Sequence, residues 1–274
     1  VYANRGLSLA LSYNNTYYAT LNRINRAAIL STGGFYSQAE TLLNEIGENN
    51  VPHQLKQYYY YTTTWLYSYW EAFCDKSEFK DYYRQKKLQF LRLTVNTTHS
   101  NYVGLYAYLS GELAYLENPL GKNVLRHYTI AINNSPVNSR VHASAAYCIA
   151  RYYREIGNMQ LYEKYIVEAA ISDMVCPLKE NLALQELSTY LYKKDPKYAN
   201  RAARYIYCSM EDAQFYNNRL RMLEISNIQP IIATANQEAL AHKERIVRGV
   251  LAVVSFLSLV LLGMALLGYK QTKW

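Results

Sequence analysis

The stretch Gly249–Tyr269, GVLAVVSFLSLVLLGMALLGY, holds no charged residue, and its polar content is two serines and a tyrosine. At about 1.5 Å per helical residue it covers roughly the 30 Å hydrocarbon core of a bilayer. Only a helix satisfies its own backbone there. A buried core helix of a soluble protein is the alternative, but such helices keep a polar face and this stretch has none over about six turns. It lies far from the N-terminus, which excludes a secretory signal. The sequence therefore predicts an extramembrane region, one membrane-spanning helix, and a stub, Lys270–Trp274, that looks cut short.

The part ahead of the span is long enough for one or two globular domains or for a repeat array. Half of the 274 residues are apolar, which argues against disorder, and only 11 Gly and 6 Pro argue against a turn-rich β architecture. An all-α fold follows. The formal charge of +8 looks at first like a nucleic-acid signal, but residues 242–274 supply half of it, with Lys243, Arg245, Arg248, Lys270 and Lys273 against Glu244. Basic residues flanking a span suit headgroup contact, and no dense basic block occurs elsewhere. A membrane is thus the expected partner, and no nucleic acid is expected through this portion.

Tyrosine is the compositional oddity, with 30 copies that include the run Tyr58–Tyr61 and the neighbours Trp65, Tyr67, Tyr69 and Trp70. Large rings with a polar tip pack between helices and still reach water. The four cysteines, Cys74, Cys148, Cys176 and Cys208, form no CxxC and have no paired histidines nearby, so no metal site is expected. Buried free thiols are the favoured state, with Cys148–Cys176 the nearest pair for a disulfide. The histidines His53, His99, His127, His142 and His242 are scattered, without HExxH, and there is no GxSxG elbow and no phosphate-cradling loop. His142 and Cys148 are six apart and face different sides of one helix. Neither a catalytic constellation nor a cofactor is expected.

Apolar spacing lays out a series of helical hairpins. Asn4–Thr32 reads as helix with a break near Asn14-Asn15, and Phe35–Ile46 follows, with Tyr36, Ala39, Leu43 and Ile46 on one face. The later helices are Val51–Cys74 with Lys76–Val95, His99–Leu116 with Leu120–Asn133, Val137–Ile156 with Met159–Met174, and Leu178–Lys193 with Lys197–Phe215. The period is near 40 residues. Each hairpin needs neighbours to bury its faces, so the pairs are expected to stack into a superhelix whose concave side is lined by the first helix of each pair. Tyr59, Trp65, Tyr69, Tyr106 and Tyr108 lie on such first helices and are the candidate contacts for a protein, peptide or saccharide ligand.

The stretch Ala146–Met174 resembles a tetratricopeptide repeat. Ile149-Ala150 takes the Leu-Gly place, Tyr153 the next aromatic, Gly157 the turn, Ile166 the late aromatic place and Ala169 the small crossing residue, while Tyr162 stands where the consensus has Ala. Gly34, Ala39, Leu43 and Ile46 fit the same frame, as do Ala131 and Pro136. The repeats are lengthened relative to the consensus.

After Pro230, Ile231–Arg248 has no Gly or Pro, and a helix is expected to begin at Pro230 and run unbroken into the span, about 60 Å to Tyr269. The expected organisation is repeats over 1–229, a juxtamembrane helix over 230–248, the span over 249–269 and the stub over 270–274. The order of Tyr-rich hairpins, the segment NQEALAHKERI, one span, and the exit Tyr269-Lys270-Gln271 resembles a family of Gram-negative membrane-bound regulators with tetratricopeptide-like sensor domains. That resemblance implies periplasmic repeats, an inner-membrane span, and a cytoplasmic coiled coil with a regulatory region beyond Trp274. Val1 has no leader before it, so the sequence reads as a fragment or processed product. A membrane-anchored scaffold that recruits proteins is the alternative. The span holds no pair of small residues four apart, so small-xxx-small packing is unsupported, and a homodimer stays open.

Overall fold

The computed structural model describes residues 2–74, 78–177 and 182–272, with side chains through Met264. Those residues form twelve α-helices joined by turns, and no strand occurs among them. The helices are α1 (Tyr2–Ser12), α2 (Thr16–Thr32), α3 (Tyr36–Ile46), α4 (Lys56–Phe73), α5 (Lys80–Thr97) and α6 (Val103–Glu117), then α7 (Lys122–Asn133), α8 (Arg140–Glu155), α9 (Met159–Val175), α10 (Leu182–Lys194), α11 (Ala199–Phe215) and α12 (Arg219–Thr272). From α2 onward they pair as successive antiparallel hairpins, α2–α3 through α10–α11, with α1 packed on α2 and α12 on α11. The tetratricopeptide-like array expected from the sequence is present. Of the expected stub, Lys273 and Trp274 lie outside the described residues.

Turn chemistry sets the breaks. Asn14 adopts a left-handed φ of 52°, and the Asn15 side chain accepts from the Tyr18 N–H at 3.1 Å, which stops α1 and starts α2. Between α8 and α9, Gly157 turns the chain at φ 77° and the Asn158 side chain accepts from the Leu161 N–H at 3.1 Å. Ile149, Ala150, Ile166 and Ala169 are all buried, as the repeat frame requires. Tyr162, the departure from the consensus, is buried as well, and its hydroxyl donates to Glu186 at 3.3 Å. The extra ring is accommodated because its polar tip finds a carboxylate on the next hairpin.

Two apolar clusters result. The first gathers α2, α3 and α4 around Ile24, Tyr36, Leu43 and Leu66, and the second runs from α5 to α12. The helix α12 joins both. Its Leu220 belongs to the first cluster and is 3% exposed, while Ile225 and Ile232 belong to the second and are each 1% exposed.

The expected start of this last helix at Pro230 is corrected. It begins at Arg219 and carries Pro230 in its interior, spanning 54 residues, about 80 Å. The start is set by a second asparagine pair: Asn217 has φ 51°, and the Asn218 side chain accepts from the Arg221 N–H at 3.2 Å. Pro230 is tolerated inside because it is exposed, so its ring faces away from Ile225 and Ile232 and the exposed Ser226 carbonyl that loses its N–H partner is open to water. The helix therefore starts within the region expected to hold only repeats. From His242 onward its described side chains are exposed but for the partly shielded Gly263, and among the described residues it is the one helix long and apolar enough to cross a membrane.

Candidate functional site

Side chains from the first helices α4, α6, α8 and α10, with others from α5, α9 and the start of α12, line a half-open cavity of about 370 Å³. Its aromatic wall is Trp65 and Tyr69 from α4, Tyr108 from α6 and Tyr147 from α8. Arg140 lies 4.9 Å from the centre of the Trp65 ring and donates to the Tyr69 hydroxyl at 3.1 Å, so both rings are fixed from the α8 side.

The charged wall comes in facing pairs. Lys87 Nζ is 3.3 Å from Glu71 Oε2, Arg221 Nη1 is 2.7 Å from Glu224 Oε2, and Arg151 Nη2 is 3.7 Å from Glu112 Oε1. Glu112 is the hub. It accepts from the Tyr128 hydroxyl at 2.6 Å and from the Cys148 thiol at 3.2 Å. Burial opposes its ionisation, but Arg151, Lys87 and these donors outweigh that and hold its carboxyl below the ordinary value. The same environment acts oppositely on its neighbours. Burial first, then the Glu112 charge, pushes the Tyr108 hydroxyl and the Cys148 thiol up. Cys148 therefore stays a protonated thiol, a hydrogen-bond donor rather than a nucleophile. All four cysteines are free, so Cys148 and Cys176 form no disulfide.

Arg151 also covers the Tyr115 ring at 3.8 Å. Its Nε and the Trp65 Nε1 are buried donors without a hydrogen-bond partner among the described residues, and both residues line the cavity. Apart from these donors the wall is polar, aromatic and close to charge-balanced. Among the described residues no group of His, Cys, Asp and Glu is disposed to hold a metal ion. His142 lies away from Cys148, with Nδ1 3.1 Å from the Ser135 carbonyl and Nε2 3.3 Å from Glu168, where it ties α8 to the preceding turn and to α9.

Of the five candidate contacts, Trp65, Tyr69 and Tyr108 converge on this cavity. Tyr59, as buried as Tyr69 and Tyr108, does not: its hydroxyl is turned to the Leu43 carbonyl, to which it donates at 3.3 Å. Tyr106 is 42% exposed and does not line the cavity. Aromatic content alone missed the charged wall. The usable signal was charge inside apolar spacing: Glu112 is the one charged residue of α6 ahead of its last position, and Arg151 follows the buried run Ala145, Ala146, Cys148, Ile149.

Against known proteins, no curated protein and no solved structure matches significantly. The family model described as the SusR N-terminal TPR domain does match, over residues 1–227, a range that includes the whole cavity wall. The chain, an all-helical repeat scaffold that ends in one long apolar helix, belongs to the SusR N-terminal TPR domain family.

Proposed function

We propose that the chain is the sensor portion of a single-span membrane-bound regulator, in which the repeats bind a signal and α12 relays it across the membrane. One observation carries this reading: the helix that is apolar enough to cross a bilayer also supplies Leu220, Arg221 and Glu224 to the cavity wall. A bound molecule would touch the transmitting helix itself. Of the expected ligand classes, protein, peptide or saccharide, a volume of about 370 Å³ favours a small saccharide or a short peptide over a protein surface. The free donors Trp65 Nε1 and Arg151 Nε call for acceptor atoms, and the balanced wall for a ligand without large net charge. Placement of the repeats in the periplasm and of α12 in the inner membrane follows from the resemblance to Gram-negative regulators.

Two measurements test this. Purified full-length chain is screened by thermal shift against neutral oligosaccharides and short peptides. Binding that is lost in Trp65→Ala and Arg151→Ala variants which still fold supports the site, and binding unaffected by either removes it. Labelling of an introduced cysteine at exposed Thr41 in intact cells, by a reagent that does not cross the inner membrane, reports the side of the repeats. Protection until lysis would place them in the cytoplasm.

The second reading, an anchored scaffold recruiting a protein partner, is favoured by a separate feature. Val167, Ile171 and Met174 form an exposed apolar stripe along α9.

A further inference from the structure

The array is closed by a seam of unusual economy. The last hairpin holds α12 along Ile225, Ile228 and Ile232, three residues that repeat on one face over two turns. Among the described residues the first hairpin packs on it at its first residues, and beyond these the charges of Arg221 and Glu224 reach Tyr36. Arg219 covers the Phe35 ring at 4.1 Å, and Leu220 enters the cluster of Ile24, Tyr36 and Leu66. The α2–α3 turn comes close enough for this because Gly34, at φ 78°, has no side chain: a Cβ there would sit 3.2 Å from the Cβ of Arg219. Between the two attachments lie Arg221 and Glu224, both on the cavity wall.

We propose that this seam, Arg219 and Leu220 against Phe35 and Tyr36, is the joint at which the ring of repeats opens, and that cavity occupancy sets its position. The inference rests on the sensor reading for the meaning of occupancy, though the joint itself is a structural claim. The asymmetry decides which side moves. With α12 attached over two turns to α11 and over two residues to the first hairpin, a strain at Arg221 and Glu224 separates the weaker attachment. The last hairpin and α12 then move as one body relative to α2–α3, and the apolar end of the helix moves with them. A ligand shifts this equilibrium to the extent that it contacts the two arrangements differently, which contact with Arg221 and Glu224 provides.

The test measures distances in the full chain, in lipid nanodiscs, with Cys74, Cys148, Cys176 and Cys208 replaced by Ala. Spin labels at Ser37→Cys on α3 and Ser226→Cys on α12 report across the seam, and labels at Glu211→Cys and Ser226→Cys report within the α11–α12 body. The cavity is filled without a ligand by Ser144→Trp, which adds an indole to its wall. The expected result is a shift of about 1–5 Å across the seam, the range of helix shifts and one-turn ratchets, with the α11–α12 distance unchanged. Leu220→Ala is expected to produce the same shift or a second population, and Leu220→Met, which conserves volume, to leave the distance as it was. The proposal is overturned by a seam distance that neither Ser144→Trp nor Leu220→Ala moves, or by equal change in both distances. Failure of the sensor reading looks different: no ligand binds, while the seam still responds to Ser144→Trp.

Discussion

Gly111 is the residue on which the charged wall depends. It lies on α6 directly under the Tyr128 ring, where a Cβ would come within 2.6 Å of Tyr128 Cε1. Its missing side chain lets a fully buried tyrosine lie flat enough for the hydroxyl to reach Glu112. Gly111→Ala is therefore expected to destabilise the fold by about 1–3 kcal/mol through overpacking, even though Ala favours helix, and denaturant unfolding measures it. Glu112 gives a pH signature. Its folded pKa lies below the ordinary carboxylate value, so its stabilising effect is present above the unfolded pKa and is lost as pH falls through the folded one. Glu112→Gln is expected to cost about 1–3 kcal/mol at neutral pH, and the gap from the unsubstituted chain should close as the pH falls through that window. A constant gap across the whole acid range would mean that the carboxylate charge plays no part. These two residues also mark what sequence could not reveal. Trp65, Tyr69 and Tyr108 are recognisable as ring-bearing positions on first helices, but the side on which each ring faces depends on superhelical stacking. That stacking sends Tyr59 into the core and leaves Tyr106 in solvent.

Helix boundaries were legible wherever a turn residue stood alone, as at Gly157, and misread where two signals competed. Pro230 is a strong start signal, and Asn217-Asn218, whose capping Asn218 lies twelve residues earlier, is a weaker one that nevertheless wins. Asn218 is buried and caps α12, and Ile225 and Ile232 are paired in register with it on the α11 side. A helix begun at Pro230 would leave Ile225 unplaced, and its burial outweighs the cost of an interior proline, which removes one helical hydrogen bond to the Ser226 carbonyl on the exposed side. The two asparagines separate into distinct contributions. Asn218→Ala is expected to cost about 0.5–2 kcal/mol as a lost cap, whereas Asn217→Gly, which relieves a left-handed φ, is expected to stabilise by up to about 1 kcal/mol. Thermal unfolding of both variants checks the pair. If Asn218→Ala is neutral while a cap variant near Pro230 is not, the start of α12 is elsewhere.

Successive hairpins hold one another along the array, and α12 ties its two ends because it belongs to two places at once. It completes the apolar clusters of the first and last hairpins and then leaves the array, with every described side chain from His242 to Leu262 exposed. On the proposed reading a bilayer covers this length of Leu, Val and Phe at no cost to the repeats, since no described side chain in that apolar stretch is buried against them. This separation makes the membrane reading testable independently of the fold. Leu257 lies near the middle of Gly249–Tyr269 and is exposed. Leu257→Arg is expected to disfavour insertion by roughly 2.5–3.5 kcal/mol, about two orders of magnitude in partitioning. In a lipid-vesicle flotation assay the unsubstituted chain should rise with the vesicles and the Arg variant should do so far less. The helical content and unfolding midpoint of the repeats should be the same in both. If the variant floats as well as the parent, the stretch does not cross the bilayer. If its repeats unfold instead, the apolar stretch was covering part of the array, and α12 would be a packing element rather than the link between the cavity and the membrane.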